Sequence, residues 1–541
     1  MSARSTDRRT FVATTGTVLA ALAAPPALVG LTREHDLVIR GGTVFDGLGH
    51  PGQVRDVAIA SGRIVQVAAR VGGRATEEID ARGLAVAPGF IDIHSHVDGS
   101  LKADPRAESA IRQGITTIVA GQDGDSRATG DTDDSFAAMM QGMEALAPAV
   151  NVASMVGLGS IRERVIGEMD RPATAAELAR MTAMVERALH DGACGASSGL
   201  EYTPGGFASR EELIALCRPL RARRLPYATH MRNEDDHVLE AMDEAIAVAE
   251  GAGCPLEISH LKMQGQANWA KLDQAFRKIA AANRRGMDVT FDRYPYLAYS
   301  TGLTNLFPLW SRDGGVDAFL ARLEDASAAP RIKEATLAKV TGLGGWDNVE
   351  VTSVRNEGDR AAEGKRLGSY AASIGADPYQ AATDLLRRSR GGVGMVGFAM
   401  SEGNLERILA HPLAMVCTDG GGFATDGPTR RGTPHPRGIG SCARVLGRYV
   451  RERQALPLAD AIAKMSGHTA RRLRLRERGQ LRQGFAADVV AFDPARIADV
   501  ATYENPFQYP VGISAVIVNG RIALRDGARV GTGQGKALRP G

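Results

Sequence analysis

The residues best suited to chemistry in this sequence are histidines and an aspartate that follow short apolar runs. His94 and His96 stand one residue apart in APGFIDIHSHVDG, so on a strand both imidazoles share one face. His230 in PYATHMR, His260 in PLEISHLK and Asp419 in AMVCTDGGG follow three later runs. Four imidazoles and a carboxylate that converge suit a zinc-type site with one position left for water. The alternative, an ordinary strand-end histidine, explains one of these residues more readily than the whole set.

Such a site predicts hydrolytic chemistry. A bound metal ion lowers the pKa of a coordinated water towards about 7 and polarises a scissile carbonyl, so a nearby carboxylate can take the proton from that water. Asp419 is the candidate for this general base. A peripheral salt bridge is the alternative role for Asp419.

The elements that would position these residues are eight apolar strand candidates separated by amphipathic helices. Two helix starts carry the capping-box pattern, at Thr174 with Glu177 and at Ser209 with Glu212. Eight strand–helix units predict an α/β fold of the (β/α)8 barrel type, in which the carboxyl ends of the strands converge on one face. The strand candidates are residues 90–94, 115–120, 151–156, 193–197, 227–230, 256–260, 287–291 and 413–419.

The two ends of the chain differ from the middle in their sequence pattern. Residues 36–87 and 479–527 are short β-type runs with turn glycines, which indicates one small β-sandwich domain assembled from both ends. We therefore predict a β-domain at 34–87 and 479–541 and a barrel at 88–478. The long gap before the last strand predicts an insertion around 302–390 that overhangs the site.

Composition excludes some function classes. The 541 residues are 44% hydrophobic and 23% charged with a net charge of +3, so no electrostatic footprint for nucleic acid is present. The five cysteines are scattered without C-x-x-C spacing, which argues against a disulfide framework or a structural zinc knuckle.

The start of the chain predicts an export signal. Arg8 and Arg9 precede a mildly apolar segment, and the pattern over residues 1–33 resembles a twin-arginine signal. The twin-arginine machinery would then be a partner, and the protein would be periplasmic or secreted. A disordered start or an uncleaved membrane anchor is the alternative. No later segment is long and apolar enough to predict a membrane span in the mature chain.

Taken together, the motifs resemble the N-acyl-D-amino-acid deacylases, or D-aminoacylases, of the amidohydrolase superfamily. The resemblance covers nearly everything after about residue 36 and rests on HSHVDG, HMRNE, ISHLK and TDGGG, supported by SSGLEYTPGGF, FDRYPYLAYS, KMSGHTARRL, GFAADVVAFDP and ENPFQYPVGISAVIVNGR. It implies a barrel with a small β-sandwich and hydrolysis of the amide of N-acyl-D-amino acids. It also implies that His230 and His260 bind the main zinc ion. His94, His96 and Asp419 would surround a second, weaker position, and Asp419 would pass its proton to the departing amine.

The resemblance also implies how the substrate is bound. Lys262 matches the residue for the substrate α-carboxylate, with help from Tyr202, Tyr294 and Ser300, and Arg232 stands two residues past His230 as Lys262 stands past His260. A cation with hydroxyl donors is what a free carboxylate requires. Alternatively, Lys262 or Arg232 closes an ion pair at the barrel rim.

The chain departs from the family pattern at two positions. Family members commonly carry a cysteine ligand in an Asn-Cys-Gly sequence after the second strand, where this chain has AGQDGDS and places Asp123. A histidine in the loop after the third strand is replaced by Leu158. A carboxylate is harder than a thiolate and can bridge two ions, so we expect one or two divalent ions, with Mn²⁺ or Co²⁺ accepted beside Zn²⁺. The alternative is that Asp123 caps its loop by accepting backbone N–H groups.

The sequence thus predicts an exported metal-dependent amidohydrolase. Two rivals stay open: another amidohydrolase, such as a cyclic-amide or dipeptide hydrolase, and a barrel that has lost catalysis and only binds its ligand. Retention of all four histidines and Asp419 argues against the second rival.

Overall fold

The computed structural model describes residues 34–126, 135–531 and 533–541. The predicted export signal at residues 1–33 lies outside them. No helix among the described residues is long and apolar enough to cross a membrane.

Strands and helices alternate through the middle of the chain, and strands dominate at both ends. The strands are β1 (His35–Val44), β2 (Gln53–Ala60), β3 (Arg63–Ala68), β4 (Ala75–Asp80), β5 (Ala85–Pro88), β6 (Phe90–Asp92), β7 (Ile115–Ala120), β8 (Asn151–Ser154), β9 (Val156–Gly157), β10 (Ala196–Gly199), β11 (Tyr227–His230), β12 (Leu256–Ile258), β13 (Val289–Arg293), β14 (Ala298–Gly302), β15 (Val349–Val354), β16 (Lys365–Arg366), β17 (Val393–Phe398), β18 (Ala414–Val416), β19 (Val489–Phe492), β20 (Ile513–Val518), β21 (Arg521–Arg525) and β22 (Ala528–Arg529). The α-helices are α1 (Ser100–Ala103), α2 (Glu108–Ile111), α3 (Phe136–Ala145), α4 (Leu158–Ile166), α5 (Ala175–Asp191), α6 (Arg210–Cys217), α7 (Leu220–Arg223), α8 (Val238–Ala252), α9 (Leu272–Arg284), α10 (Gly315–Arg322), α11 (Ala328–Gly342), α12 (Leu367–Ser373), α13 (Pro378–Arg388), α14 (Glu402–Ala410), α15 (Arg437–Arg444), α16 (Leu458–Lys464) and α17 (Gly467–Arg472).

The central strands form a parallel barrel. β6, β7 and β8 pair in that order, and β9 to β13 pair in sequence with β18 added beside β13. At one junction β8 runs on into β9, and the Cys194 N–H donates to the Ser154 carbonyl at 2.9 Å. At the other, the Asp419 N–H donates to the His94 carbonyl at 2.8 Å. With β8 and β9 counted as one bent strand, the predicted (β/α)8 barrel is confirmed.

The helix starts follow their sequence signals with one difference. Thr174 and Glu177 form the complete reciprocal capping box of α5. At α6 the Ser209 side chain accepts from the Glu212 N–H, but the Glu212 carboxylate turns to the buried Arg162, with an N–O distance of 3.1 Å. A buried guanidinium requires a counter-charge, and this need outweighs the second half of the capping box.

The small domain is one sheet built from both chain ends, in the order β22-β21-β20-β19-β5-β1-β2-β3, with β4 beside β1. Its strands fall in the two segments where the sequence predicts the β-domain. Side chains alternate as a sheet requires: Val489 and Ala491 pack within the domain, whereas Val490 and Phe492 pack towards the barrel near Phe90. The hydrogen bonds between strands join all nine described strands of the small domain into a single sheet.

The insertion between β13 and β18 forms a layer of its own. It contains an antiparallel sheet in the order β14-β17-β15-β16, together with α10 to α13. β14 begins at Ala298, before the predicted bounds of 302–390, and places Tyr299, Ser300 and Thr301 on the wall of a cavity.

Candidate active site

Each predicted metal-ligating side chain follows the carboxyl end of a barrel strand or forms that end. β6 stops at Asp92, earlier than predicted, and His94 and His96 lie in the bends after it. His230 is the last residue of β11, and the remaining candidates, Asp123, His260 and Asp419, lie two or three residues beyond β7, β12 and β18. Convergence of strand ends in a barrel brings all six together.

Three of them form the first cluster. The His230 Nδ1 atom lies 3.0 Å from His260 Nε2, and the Asp123 Oδ2 atom lies 3.7 Å from the former and 3.5 Å from the latter. The side chains of all three residues are buried.

Asp123 also belongs to a second cluster, with His94, His96 and Asp419. His94 Nε2 lies 3.4 Å from Asp123 Oδ1 and 3.6 Å from Asp419 Oδ1. His96 Nε2 lies 3.0 Å from Asp419 Oδ1 and 3.5 Å from Asp123 Oδ2. The Asp123 carboxylate therefore stands between two groups of potential ligands.

These distances fit metal coordination. Zinc–ligand bonds of about 2.0–2.1 Å in a tetrahedron place ligand atoms about 3.3 Å apart, which is the spacing found here. The His94 Nε2 and Asp123 Oδ1 atoms are buried and have no hydrogen-bond partner within the described part of the chain. Buried polar atoms without partners are costly, and a shared cation satisfies both of them.

The backbone at three of these positions is strained. Asp123, His260 and Asp419 have φ values of +52°, +35° and +48°. This left-handed region costs a residue other than glycine about 1–3 kcal/mol, and such strain concentrates at functional sites. The described hydrogen bonds do not join the Asp123 carboxylate to a backbone N–H, so loop capping does not explain the position of Asp123.

Asp419 has a second partner besides the histidines. The Arg437 Nη1 atom donates to Asp419 Oδ2 at 2.6 Å, and Nη2 donates to the Ser300 carbonyl at 3.2 Å. Burial alone would raise the pKa of Asp419, but the charges of Arg437 and the histidines hold this pKa below its usual range. Asp419 is therefore a carboxylate fixed in orientation, with Oδ1 turned to His94 and His96.

His260 is oriented by two charged residues. Its Nδ1 lies 2.7 Å from Lys262 Nζ and 3.0 Å from Glu234 Oε1. The Lys262 ammonium donates to both Glu234 oxygens, at 2.6 and 2.7 Å, and both side chains are only 2% exposed. Partners of this kind fix the ring of a metal-ligating histidine.

A cavity of about 480 Å³ opens above both clusters. Of the residues predicted to bind substrate, Tyr202, Lys262 and Ser300 line it. The Tyr202 hydroxyl lies 3.5 Å from His230 Nδ1 and accepts from Thr301 Oγ1 at 3.3 Å.

Two predicted substrate-binding residues do not reach this cavity. Arg232 pairs with Glu244 and donates to the Gly206 and Ala208 carbonyls, which is the rim ion pair that the sequence left open. The chain bends after His230, so the alternation of faces stops there. Tyr294 is fully buried behind the cavity wall, with its ring against the guanidinium of Arg437.

The structure also adds residues that the sequence reasoning missed. Glu234 stands inside the HMRNE motif, where its spacing from His230 resembles one helical turn and marks no function. Arg437 and Tyr299 come from the segment after β18 and from the insertion, and both line the cavity. Tyr299 lies in the FDRYPYLAYS motif beside the predicted Ser300, whereas no motif marks Arg437; the tertiary fold shows that both reach the site.

Comparison with known proteins agrees with this geometry. Residues 77–524 match the model of the amidohydrolase family. The chain is 37% identical to the N-acyl-D-aspartate deacylase of Alcaligenes xylosoxydans xylosoxydans (94% of this chain, 96% of that one) and 34% identical to the D-aminoacylase of the same organism (94% and 98%). The N-acyl-D-glutamate deacylase of Bordetella bronchiseptica, solved with zinc and a phosphonate mimic of the tetrahedral intermediate, superposes with a TM-score of 0.80 at 34% identity, covering 93% of this chain and 99% of that one.

A match over most of the chain, together with relatives of this identity and coverage, settles the family. The barrel, the small β-domain and the histidine–aspartate clusters at the strand ends are parts of one architecture. The chain belongs to the amidohydrolase family.

Proposed function

We propose that the protein hydrolyses the amide bond of N-acyl-D-amino acids with a divalent metal ion, releasing a carboxylic acid and a D-amino acid. The observation that carries this proposal is the pair of ligand clusters sharing Asp123 at the floor of a cavity. Relatives of 34–37% identity named as deacylases of D-amino acids support the substrate class. An active enzyme is favoured over a binding protein because all four histidines and Asp419 stand at ligand distances.

The side chains divide the work of the reaction. A bound metal ion supplies an activated water and polarises the acyl carbonyl. His230, His260 and Asp123 would hold the main ion, and His94, His96 and Asp419 the second position, with zinc favoured by the imidazoles and Mn²⁺ or Co²⁺ accepted. Asp419 takes the proton of the attacking water and passes it to the amine as the amide bond breaks.

The decisive experiment is a paired assay with metal analysis. Purified protein should contain one or two divalent ions per chain and should hydrolyse N-acetyl-D-amino acids much faster than their L-enantiomers. A chelator should abolish turnover, and Zn²⁺, Co²⁺ or Mn²⁺ should restore it. Turnover of cyclic amides without turnover of either acetylated series would contradict the proposal.

Lys262 provides the first prediction. We expect Lys262→Met to raise KM for free-acid substrates by roughly 10- to 100-fold, because a charge-assisted hydrogen bond contributes about 1.5–3 kcal/mol. The same change removes the ammonium partner of the buried Glu234 and leaves this carboxylate with Gln264 and His260, which costs up to about 3–5 kcal/mol of stability. Thermal unfolding and KM for the acid and carboxamide forms of one substrate check both effects.

The control is the double variant Lys262→Met with Glu234→Gln. It removes the unpaired carboxylate, so it should recover stability while KM for the acid stays high. If stability and KM recover together, Lys262 acts only through its ion pair and does not bind the substrate.

We further propose that the chain is exported by the twin-arginine machinery to the periplasm or beyond. Arg8 and Arg9 before a mildly apolar segment support this. Replacing both arginines with lysine in the full-length chain should leave the protein in the cytoplasm, as cell fractionation would detect. Unchanged export of that variant would contradict the route.

A further inference from the structure

Tyr299 has a buried hydroxyl that the chemistry above does not use. Its side chain is only 5% exposed, and the Oη atom has no hydrogen-bond partner among the described residues. The residue nevertheless lines the catalytic cavity, which Lys262, Glu234 and His230 also line. A polar atom withdrawn from water without a partner is costly and calls for an explanation.

The phenol is suited to donate a hydrogen bond. Burial raises the pKa of Tyr299 well above its usual value, and the negative charges of Glu201 and Asp235 raise it further. The hydroxyl therefore keeps its proton at neutral pH.

A glycine on the neighbouring strand makes room for this ring. Gly397 of β17 lies directly opposite Tyr299 in the antiparallel pair, and a Cβ atom at Gly397 would overlap the phenol ring and come within 2.7 Å of Oη. Any other residue at position 397 would push the hydroxyl away from its present place. Two strands of the insertion thus define the position of one hydroxyl at the cavity wall.

The charges in the cavity indicate which substrate group this donor serves. Lys262 shares its charge with Glu234, and Arg437 shares its charge with Asp419. Because each of these cations is already paired with a carboxylate, a substrate carboxylate placed beside them still needs uncharged hydrogen-bond donors. These donors replace the hydrogen bonds that the substrate carboxylate makes to water in solution. Tyr294, the tyrosine to which the family resemblance assigns such a contact, has its ring 5.9 Å from Lys262 Nζ but does not line the cavity, whereas Tyr299 does.

We propose that the Tyr299 hydroxyl donates a hydrogen bond to the substrate α-carboxylate beside Lys262, and that Gly397 is the positioning residue for it. The inference rests on the proposed function and names a specificity-determining contact for the same site. It assigns to the insertion a direct part in selecting free-acid substrates.

The test compares acid and carboxamide ligands on metal-loaded protein. Tyr299→Phe should raise KM for N-acetyl-D-methionine roughly tenfold or more, since the lost hydrogen bond is to a charged group. The inhibition constant of N-acetyl-D-methioninamide, which lacks the carboxylate, should change much less. Gly397→Ala keeps the hydroxyl but displaces it, so the same acid-selective loss is expected.

Tyr370→Phe is the matched control. Tyr370 is a buried tyrosine in α12 of the same insertion and lies outside the cavity lining, so its change should leave both constants unaltered. Thermal unfolding of all three variants separates loss of fold from loss of contact. An unchanged KM in Tyr299→Phe, or equal weakening of acid and carboxamide binding, would overturn the inference. Absence of turnover in the wild-type chain would instead overturn the proposed function, and this inference with it.

Discussion

Asp419→Asn is expected to lower kcat by about 10²- to 10⁴-fold, the usual contribution of a general base. Asparagine has the shape of aspartate and can still accept from Arg437, but it cannot take a proton from water. The fold should be retained, because both hydrogen bonds from Arg437 remain possible. Steady-state kinetics and metal content measured on the same preparation check this result.

Two comparisons make that prediction specific. Occupancy of the main position should fall little, since its proposed ligands His230, His260 and Asp123 are unchanged, whereas the second position, which includes Asp419, should lose occupancy. Arg437→Lys keeps a positive charge but loses the second donor, which anchors the side chain on the Ser300 carbonyl, so a smaller loss of kcat is expected than for Asp419→Asn. Near-normal kcat in Asp419→Asn would exclude Asp419 as the base.

Replacing Asp123 is expected to change the metal itself. Asp123→Ala removes the one carboxylate common to both clusters, so zinc affinity should fall by more than the roughly 10- to 100-fold that follows loss of an outer partner. Asp123→Asn should lose part of the metal, because an amide oxygen ligates more weakly than a carboxylate. Asp123→Cys should restore tight zinc binding, since a thiolate is a softer ligand. Metal titration followed by mass spectrometry provides a readout independent of activity.

The stoichiometry separates bridging from simple ligation. A bridging carboxylate draws the His94 and His96 position into fuller occupancy, so the wild type should take up two ions, and manganese should compete with zinc better than in Asp123→Cys. Metal content that is the same in all three variants and the wild type would show that Asp123 ligates nothing.

The barrel could be predicted from the sequence, because the buried parallel strands of a barrel are recognisable as short runs without charged residues. Runs such as ITTIVA and YATH are short, uncharged and fully buried and follow a glycine or a proline, and β7 matches its predicted bounds at both ends. The histidines and Asp419 were predicted as candidate metal ligands for the same reason, since a polar side chain at the end of such a run stands out.

Residues beyond the strand ends could not be predicted in the same way. Alternation of faces holds only while the backbone is extended, and it fails at Arg232, where the chain bends after β11. Glu234 reaches the cavity from a loop, Arg437 from the start of α15 and Tyr299 from the insertion, and the positions of these segments depend on contacts distant in sequence. Only the three-dimensional structure shows that these residues line the cavity, because no local spacing in the sequence distinguishes them from surface residues.

The sheet shared by both chain ends has a consequence for synthesis on the ribosome. β5 pairs with β1 on one side and with β19 on the other, yet Val489 comes 401 residues after Pro88. Because translation proceeds at about 5–20 residues per second, roughly 20–80 s pass between the synthesis of β5 and that of β19. During this time the apolar edge of β5 that will pair with β19 is unpaired. Such an edge is a template for wrong pairing, so the nascent chain needs protection during this interval.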